Sequence, residues 1–185
     1  MNRPLLALLP VLSIIGACSR EPPAATAGTS TAVKAPAPTP ADVLDQIDTR
    51  SPVPLLPMMA HHQKVNMRDH LVAVQEIVVA LSQDDFAGAE RAAGRIGFSE
   101  QMGQQCSHMG AGAPGFTEQA LHFHHTANRI SEAAREKDGA RVLTELGATL
   151  QTCTACHAVW KQQVVDDAAW TERTSSAPPT HGAAH

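Results

Sequence analysis

Apolar side chains recur every three or four residues along the last part of the chain, and a cysteine and a histidine follow the same spacing. The positions are Leu143, Leu146, Leu150, Cys153, His157, Trp160 and Val164. This repeat predicts one long amphipathic helix with these side chains on its inner face. Because residues i, i+3 and i+4 share a face of a helix, Cys153, Cys156 and His157 are expected to address a single partner.

The residues from Cys153 to His157 read Cys-Thr-Ala-Cys-His. This spacing is typical of c-type haem attachment, in which the thiols add to the porphyrin vinyl groups and the histidine meets the iron. A structural zinc site needs four ligands, and the sequence has no second Cys-x-x-Cys pair. A thioredoxin-like pair expects an early strand-to-helix context, whereas this motif lies late in a helical stretch. We therefore expect one covalent haem c on Cys153 and Cys156, with His157 as proximal ligand; the structural alternative is two buried thiols beside a satisfied histidine.

The N-terminus has the pattern of an export signal. A positive charge precedes a short apolar run, residues 5–15, that is too short to span a bilayer. The run ends in Ile-Gly-Ala-Cys18, which resembles the bacterial lipobox, where cleavage precedes a lipidated cysteine. We expect residues 1–17 to be a lipoprotein signal peptide and Cys18 to be the lipid anchor; an ordinary secretory signal is the alternative. The mature protein would be periplasmic, and Ser19 favours the outer membrane.

Composition divides the remaining chain into three parts. Residues 18–54 are rich in Pro, Ala, Thr and Ser, which predicts a tether with polyproline character and room for a short helix at 41–49. Residues 168–185 are small and polar and predict a flexible tail. Residues 55–167 have the usual size of one domain. The formal net charge of −4 gives no case for nucleic-acid binding.

Within residues 55–167 the apolar spacing predicts four helices and no strand. Asp84 and Asp85 interrupt the pattern and can cap the second helix, and the glycines from Gly110 to Gly115 break the chain before the third. Short connections make neighbouring helices antiparallel, so the expected fold is all-α, an antiparallel four-helix bundle with covalently bound haem. The inner faces of the first three helices are expected to be Met67, Leu71, Val74, Val78 and Leu81, then Phe86, Ala89, Ala93 and Ile96, then Phe116, Ala120, Phe123, Ala127, Ile130 and Ala134.

Four helices with Cys-x-x-Cys-His near the end of the fourth resemble the cytochrome c-prime family, over about residues 55–165. The first-helix run Met67-Arg-Asp-His70 is similar to the Met-Lys-Asp-Asn run of low-spin relatives, in which that methionine is the second axial ligand of the iron. The resemblance implies Met67 as distal ligand opposite His157. Arg68 and His70 depart from the relatives' run, and His70 is the alternative distal ligand.

The resemblance also implies what such a protein does. It implies a one-electron carrier and not an enzyme, and the sequence offers no acid–base pair placed for turnover. The partners would be other periplasmic redox proteins, met transiently through the exposed haem edge. A homodimer through the first two helices is implied as well. Val72 and Val79 are candidate surface residues for it, and the alternative is that they pack inside the bundle.

Two other functions stay open from the sequence. High-spin relatives leave the iron five-coordinate and bind gases such as NO, so a gas-binding haem protein is one alternative. A copper-handling lipoprotein is the other, because thiol, thioether and imidazole groups together suit Cu(I). The structural alternative for these groups is an exposed loop with one buried thiol. They surround the central glycines: Met102, Cys106, His108, Met109, His122, His124 and His125.

Overall fold

A computed structural model describes residues 37–175. The prediction of a mainly helical chain is confirmed, and the short helix allowed at 41–49 is present as α1. The proposed signal peptide, Cys18 and residues 176–185 lie outside the described residues. The elements in chain order are α1 (Pro40–Ile47), β1 (Ser51–Leu55), α2 (Pro57–Ser82), α3 (Phe86–Ile96), α4 (Glu100–Gly110), α5 (Phe116–Arg135), α6 (Gly139–Val159), β2 (Trp160–Val164) and α7 (Asp167–Ser175).

Four helices enclose the main core. α2 packs against α3, α3 against α5, and α5 against α6. Ile77, Ile96 and Ile130 are fully buried in this core, each from a different helix. The inner face predicted for α5 is confirmed, because its large apolar side chains fall on one stripe that neighbouring helices cover. The buried apolar residues of α5 are Phe116, Phe123, Ala127, Ile130, Ala133 and Ala134.

Aspartate side chains set where two of the core helices begin. The Asp85 carboxylate accepts a hydrogen bond from the Gly88 backbone N–H at 2.8 Å, which confirms the predicted cap of α3. The Asp138 carboxylate accepts one from the Arg141 N–H at 2.9 Å and caps α6. These bonds stabilise the helix starts because N–H groups in the first turn have no partner within the helix.

Replacing Asp138 with alanine should lower the free energy of unfolding by about 0.5–2 kcal/mol, because the Arg141 amide loses its acceptor. Asp138→Asn is the matched control, since asparagine caps about as well as aspartate. Urea unfolding followed by circular dichroism measures both. An equal loss in the two variants would contradict the capping role and point instead to the lost carboxylate charge.

The buried face of α2 differs from the predicted one. Met67, Leu71 and Val78 are 41%, 67% and 49% exposed, so most of the predicted inner row faces outward. The packed face of α3 consists largely of alanines, which allows close approach by a similarly small face of α2. Tight packing of small side chains decides the rotation of α2. The row of larger apolar side chains lies at the margin of this packed face. The buried residues of α2 are Ala60, Gln63, Ala73, Ile77 and Ala80.

The prediction of no strand is wrong. β1 pairs in parallel with β2, from Ser51 opposite Trp160 to Leu55 opposite Val164. The fourth helix therefore ends at Val159, five residues before the predicted last position of its apolar row. The predicted inner face of this helix is also partly wrong, because Leu143 and Leu150 are 58% and 40% exposed. Two prolines are tolerated in β1 because each strand has only one neighbour in this sheet. Val53 and Leu55 of β1 are buried in a second apolar cluster beneath the sheet.

Two segments predicted to be irregular are helical. The region with Cys106 and His108 forms α4, whose start is capped by Ser99: its hydroxyl accepts from the Met102 N–H at 3.2 Å. Residues 167–175, assigned by sequence mainly to a flexible tail, form α7, and Asp166 caps it by accepting from the Ala169 N–H at 2.9 Å. Across residues 37–175, no helix has the length and apolar character needed to cross a membrane.

Candidate cofactor site

Cys153, Cys156 and His157 line one cavity of about 420 Å³. The volume falls within the range of about 300–1,000 Å³ that is common for small-molecule and cofactor pockets. Side chains from α2, α4, α5, α6 and both strands form its walls. Met67 and His70, the two candidate distal ligands, line the same cavity. The structure thus brings together all five residues that the sequence assigned to a haem.

The end of α6 presents both thiols to the cavity. Cys153 and Cys156 are partly buried, and neither forms a disulfide. Burial raises the pKa of both thiols, and the neighbouring Cys153 raises that of Cys156 further. Among residues 37–175, no three His, Cys, Asp or Glu side chains are grouped to hold a metal ion.

α2 supplies the two candidate distal ligands, His70 and Met67, and the surroundings of these two side chains differ. The His70 ring stacks on Phe123, with centroids 4.8 Å apart, and meets His124 edge-on at 5.5 Å. Burial lowers the pKa of His70 to about 4, with a further contribution from His124, so the ring is neutral near pH 7. Met67 is 41% exposed at the margin of the cavity. Met67 was predicted to face inward, whereas the observed rotation of α2 makes His70 the more enclosed of the two.

His124 was named from the sequence in the copper alternative, and it lines the cavity. The ring is 3% exposed, and its Nδ1 lies 2.8 Å from the Ile96 carbonyl oxygen. Because a carbonyl only accepts, Nδ1 must carry the proton and Nε2 is left as an acceptor. Burial lowers the pKa of His124 and favours this neutral form. A histidine held in this way can present its second nitrogen to a ligand in the cavity.

The predicted copper cluster is divided by the structure. Met102, Cys106 and Met109 of α4 line the cavity together with His124. His108 instead packs beside Trp170, with ring centroids 5.5 Å apart. The exposed His122 and His125 are not among the residues that line the cavity either. Burial raises the pKa of Cys106 to about 11, so this thiol is protonated in the structure as it stands.

Arg50 and Lys161 also line the cavity, and sequence analysis singled out neither. Arg50 lies in the segment predicted to be a tether, where composition gave no sign of a site. Lys161 lies beyond the true end of α6, in a stretch predicted to continue that helix. Gln63 is a third addition, buried because α2 is rotated from its predicted orientation. Each of these residues became identifiable only through tertiary structure.

Comparison of the chain with protein-family models, curated proteins and solved structures finds no match. The class of site therefore rests on its own geometry: a cavity with two free thiols and a histidine at one wall, and a thioether and a neutral imidazole at another.

Proposed function

We propose that this protein is a periplasmic c-type cytochrome that carries single electrons, with one haem c attached through Cys153 and Cys156. The observation that carries the proposal is the presence of both thiols, His157 and two candidate distal ligands around one cavity of suitable size. The haem supplies an iron that alternates between the ferric and ferrous states. In the proposed fold, α2, α3, α5 and α6 form an antiparallel four-helix bundle, and the haem lies in the cavity walled by α2, α4, α5, α6 and both strands.

The residues at the α6 wall have distinct roles in this proposal. Each thiol of Cys153 and Cys156 would add its sulfur and hydrogen across one vinyl group, so attachment would need no oxidant. His157 would hold the iron through a ring nitrogen. Phe116 and Phe123 line the cavity, and apolar walls of this kind limit water access and influence the reduction potential.

Met67 is the proposed distal ligand. Its side chain is flexible and sits at the open margin of the cavity, whereas the His70 ring is engaged with Phe123 and His124. A thioether favours the ferrous state and gives a higher potential than a second imidazole would. His70 remains the alternative, and its ring is stacked on Phe123 in the structure.

Met67→Ala tests this assignment. The ferric wild type should show a near-infrared methionine-to-iron band, which Met67→Ala should abolish and His70→Ala should retain. The variant should also shift the ferric–ferrous equilibrium toward ferric by more than about tenfold, or about 59 mV for a one-electron couple. A high-spin wild-type spectrum with ready binding of NO or CO would contradict the assignment and favour the gas-binding alternative.

The proposal extends to location and partners. Cys18 would carry the lipid anchor, and other periplasmic redox proteins would exchange electrons at the exposed haem edge. A homodimer is proposed through α2 and α3, which is supported by the exposure of Val72 and Val79, 47% and 42% respectively. The protein is proposed to have no catalytic role of its own.

A further inference from the structure

The two strands tie the N-terminal segment to the end of the helix that carries the cysteines. β1 and β2 pair along their whole length, and the Val165 N–H donates to the Leu55 carbonyl at 3.0 Å. Val53 and Leu55 are 1% and 0% exposed. We call residues 48–55 and 157–165 together the clasp. The clasp lies at the cavity, because residues of both segments line it.

Within the clasp, Arg50 makes the hydrogen bonds that lie nearest to the Cys-x-x-Cys-His motif. Its Nη1 donates to the carbonyl oxygens of His157, at 3.1 Å, and Trp160, at 3.3 Å. The His157 carbonyl belongs to the last turn of α6, where carbonyl groups have no partner within the helix. Arg50 therefore holds the backbone of the very residue that is proposed to bind the iron.

The guanidinium of Arg50 is itself fixed in orientation. Its Nε and Nη2 donate to the two carboxylate oxygens of Asp48, at 2.9 and 2.8 Å. Paired bonds of this kind fix the plane of the group, which a lysine could not reproduce. The hydrogen bond from Arg50 lowers the pKa of Asp48 to about 2, so the pair stays charged at neutral pH.

Lys161 reinforces the same arrangement. Its ammonium group donates to the carbonyl oxygens of Asp45 and Asp48, at 3.1 and 2.9 Å. The Lys161 side chain is 12% exposed, so this cation is held within the fold. Arg50 and Lys161 both line the cavity, whereas Asp48 does not. Each segment of the clasp thus contributes one cationic residue to the cavity lining, Arg50 paired with Asp48 and Lys161 paired with Asp45.

We propose that Arg50 is a positioning residue for the iron site, which fixes the backbone of His157 and places a positive charge at the cavity wall. The inference rests on the proposed function, because His157 is a proximal ligand only if a haem is attached. Groups that orient a metal ligand tune the metal they do not touch. A nearby positive charge favours the ferrous state, which carries one positive charge fewer than the ferric state.

The test compares Arg50→Gln, Arg50→Lys and the control Arg91→Gln in the full-length protein carrying its covalent haem. Arg91 lies on α3 and does not line the cavity, so its replacement removes the same charge away from the site. Arg50→Gln should shift the ferric–ferrous equilibrium toward ferric by about tenfold, or 59 mV for one electron. Arg50→Lys keeps the charge and should shift the potential less, but its ferric electron paramagnetic resonance spectrum should change. Arg91→Gln should match the wild type in reduction potential and in the ferric electron paramagnetic resonance spectrum.

The outcomes separate the inference from the proposed function. Covalent haem in the wild type, with wild-type potential and spectrum in both Arg50 variants, would overturn the inference and leave the function standing. No covalent haem in the wild type would overturn both. Should Arg50→Gln fail to fold, Arg50→Lys and amide hydrogen exchange at residues 157–161 decide the matter. Faster exchange at these amides together with an altered spectrum supports the inference, and unchanged exchange and spectrum overturn it.

Discussion

A chain with both Cys153 and Cys156 replaced by alanine should carry no covalently bound haem. The two thiols are the proposed points of attachment, and both line the cavity without being used in a disulfide. A haem held only by axial ligands separates from a denatured chain, whereas a thioether-linked haem stays attached. Haem staining after denaturing electrophoresis and the intact mass of the protein measure the difference. The expected effect is complete loss of the stain, and each single replacement should leave at most one thioether link.

Cys106→Ala is the matched control for this prediction. Cys106 is also a free cysteine at the wall of the same cavity, but it lies outside the Cys-x-x-Cys-His motif. The Cys106 variant should therefore stain like the wild type. Equal staining of the double variant and the wild type would contradict the attachment, and loss of stain in the Cys106 variant would show that the cavity wall itself governs haem capture.

Ile130→Ala should destabilise the protein by about 2–5 kcal/mol, the usual range for removing most of a large buried aliphatic side chain. Ile130 is 0% exposed in α5, within the core that α2, α3, α5 and α6 share. Removing this side chain leaves a cavity that the surrounding helices can only partly close. Since small domains have about 5–15 kcal/mol of total stability, this single change would remove a large part of it.

Urea unfolding of the haem-loaded protein measures the loss in free energy of unfolding, and Leu143→Ala is the control. Leu143 is 58% exposed on α6, so its replacement should change the free energy of unfolding by less than about 0.5 kcal/mol. Ile130→Val should fall between, at about 0.5–1.5 kcal/mol. Similar losses for Ile130→Ala and Leu143→Ala would contradict the described core and favour burial of Leu143 in an assembly.

The buried face of α5 was predictable because its sequence has only one apolar side. Phe123 and Ile130 fall on a single stripe with alanines between them, and the other sides of the helix are largely polar. α2 offered more than one apolar side: Leu71, Val72, Val78 and Val79 are all exposed. Spacing alone cannot decide which side is covered, because that depends on the shape of the neighbouring helix. The surroundings of Met67 and His70 were therefore not predicted correctly from spacing.

The strands and the Arg50 contacts could not have been predicted from local pattern. β1 contains two prolines, and the sequence of β2, Trp-Lys-Gln-Gln-Val, has no regular apolar alternation. What makes them strands is their pairing with each other and the burial of Val53 and Leu55 beneath. Local propensity carries no information about a partner so far away in the chain. The same holds for Arg50, whose role depends on residues at the opposite end of the domain.

The clasp has a consequence for the order in which the chain folds. Arg50 and His157 are 107 positions apart, so their contact closes nearly the whole domain into one loop. A contact between residues so far apart costs loop-closure entropy, and non-local contacts of this kind form slowly. In a chain that emerges from its N-terminus, the first strand must wait for the last segment before it can pair. During that interval the end of α6 is not yet held, which would leave both cysteines accessible to the proposed haem before the fold closes around them.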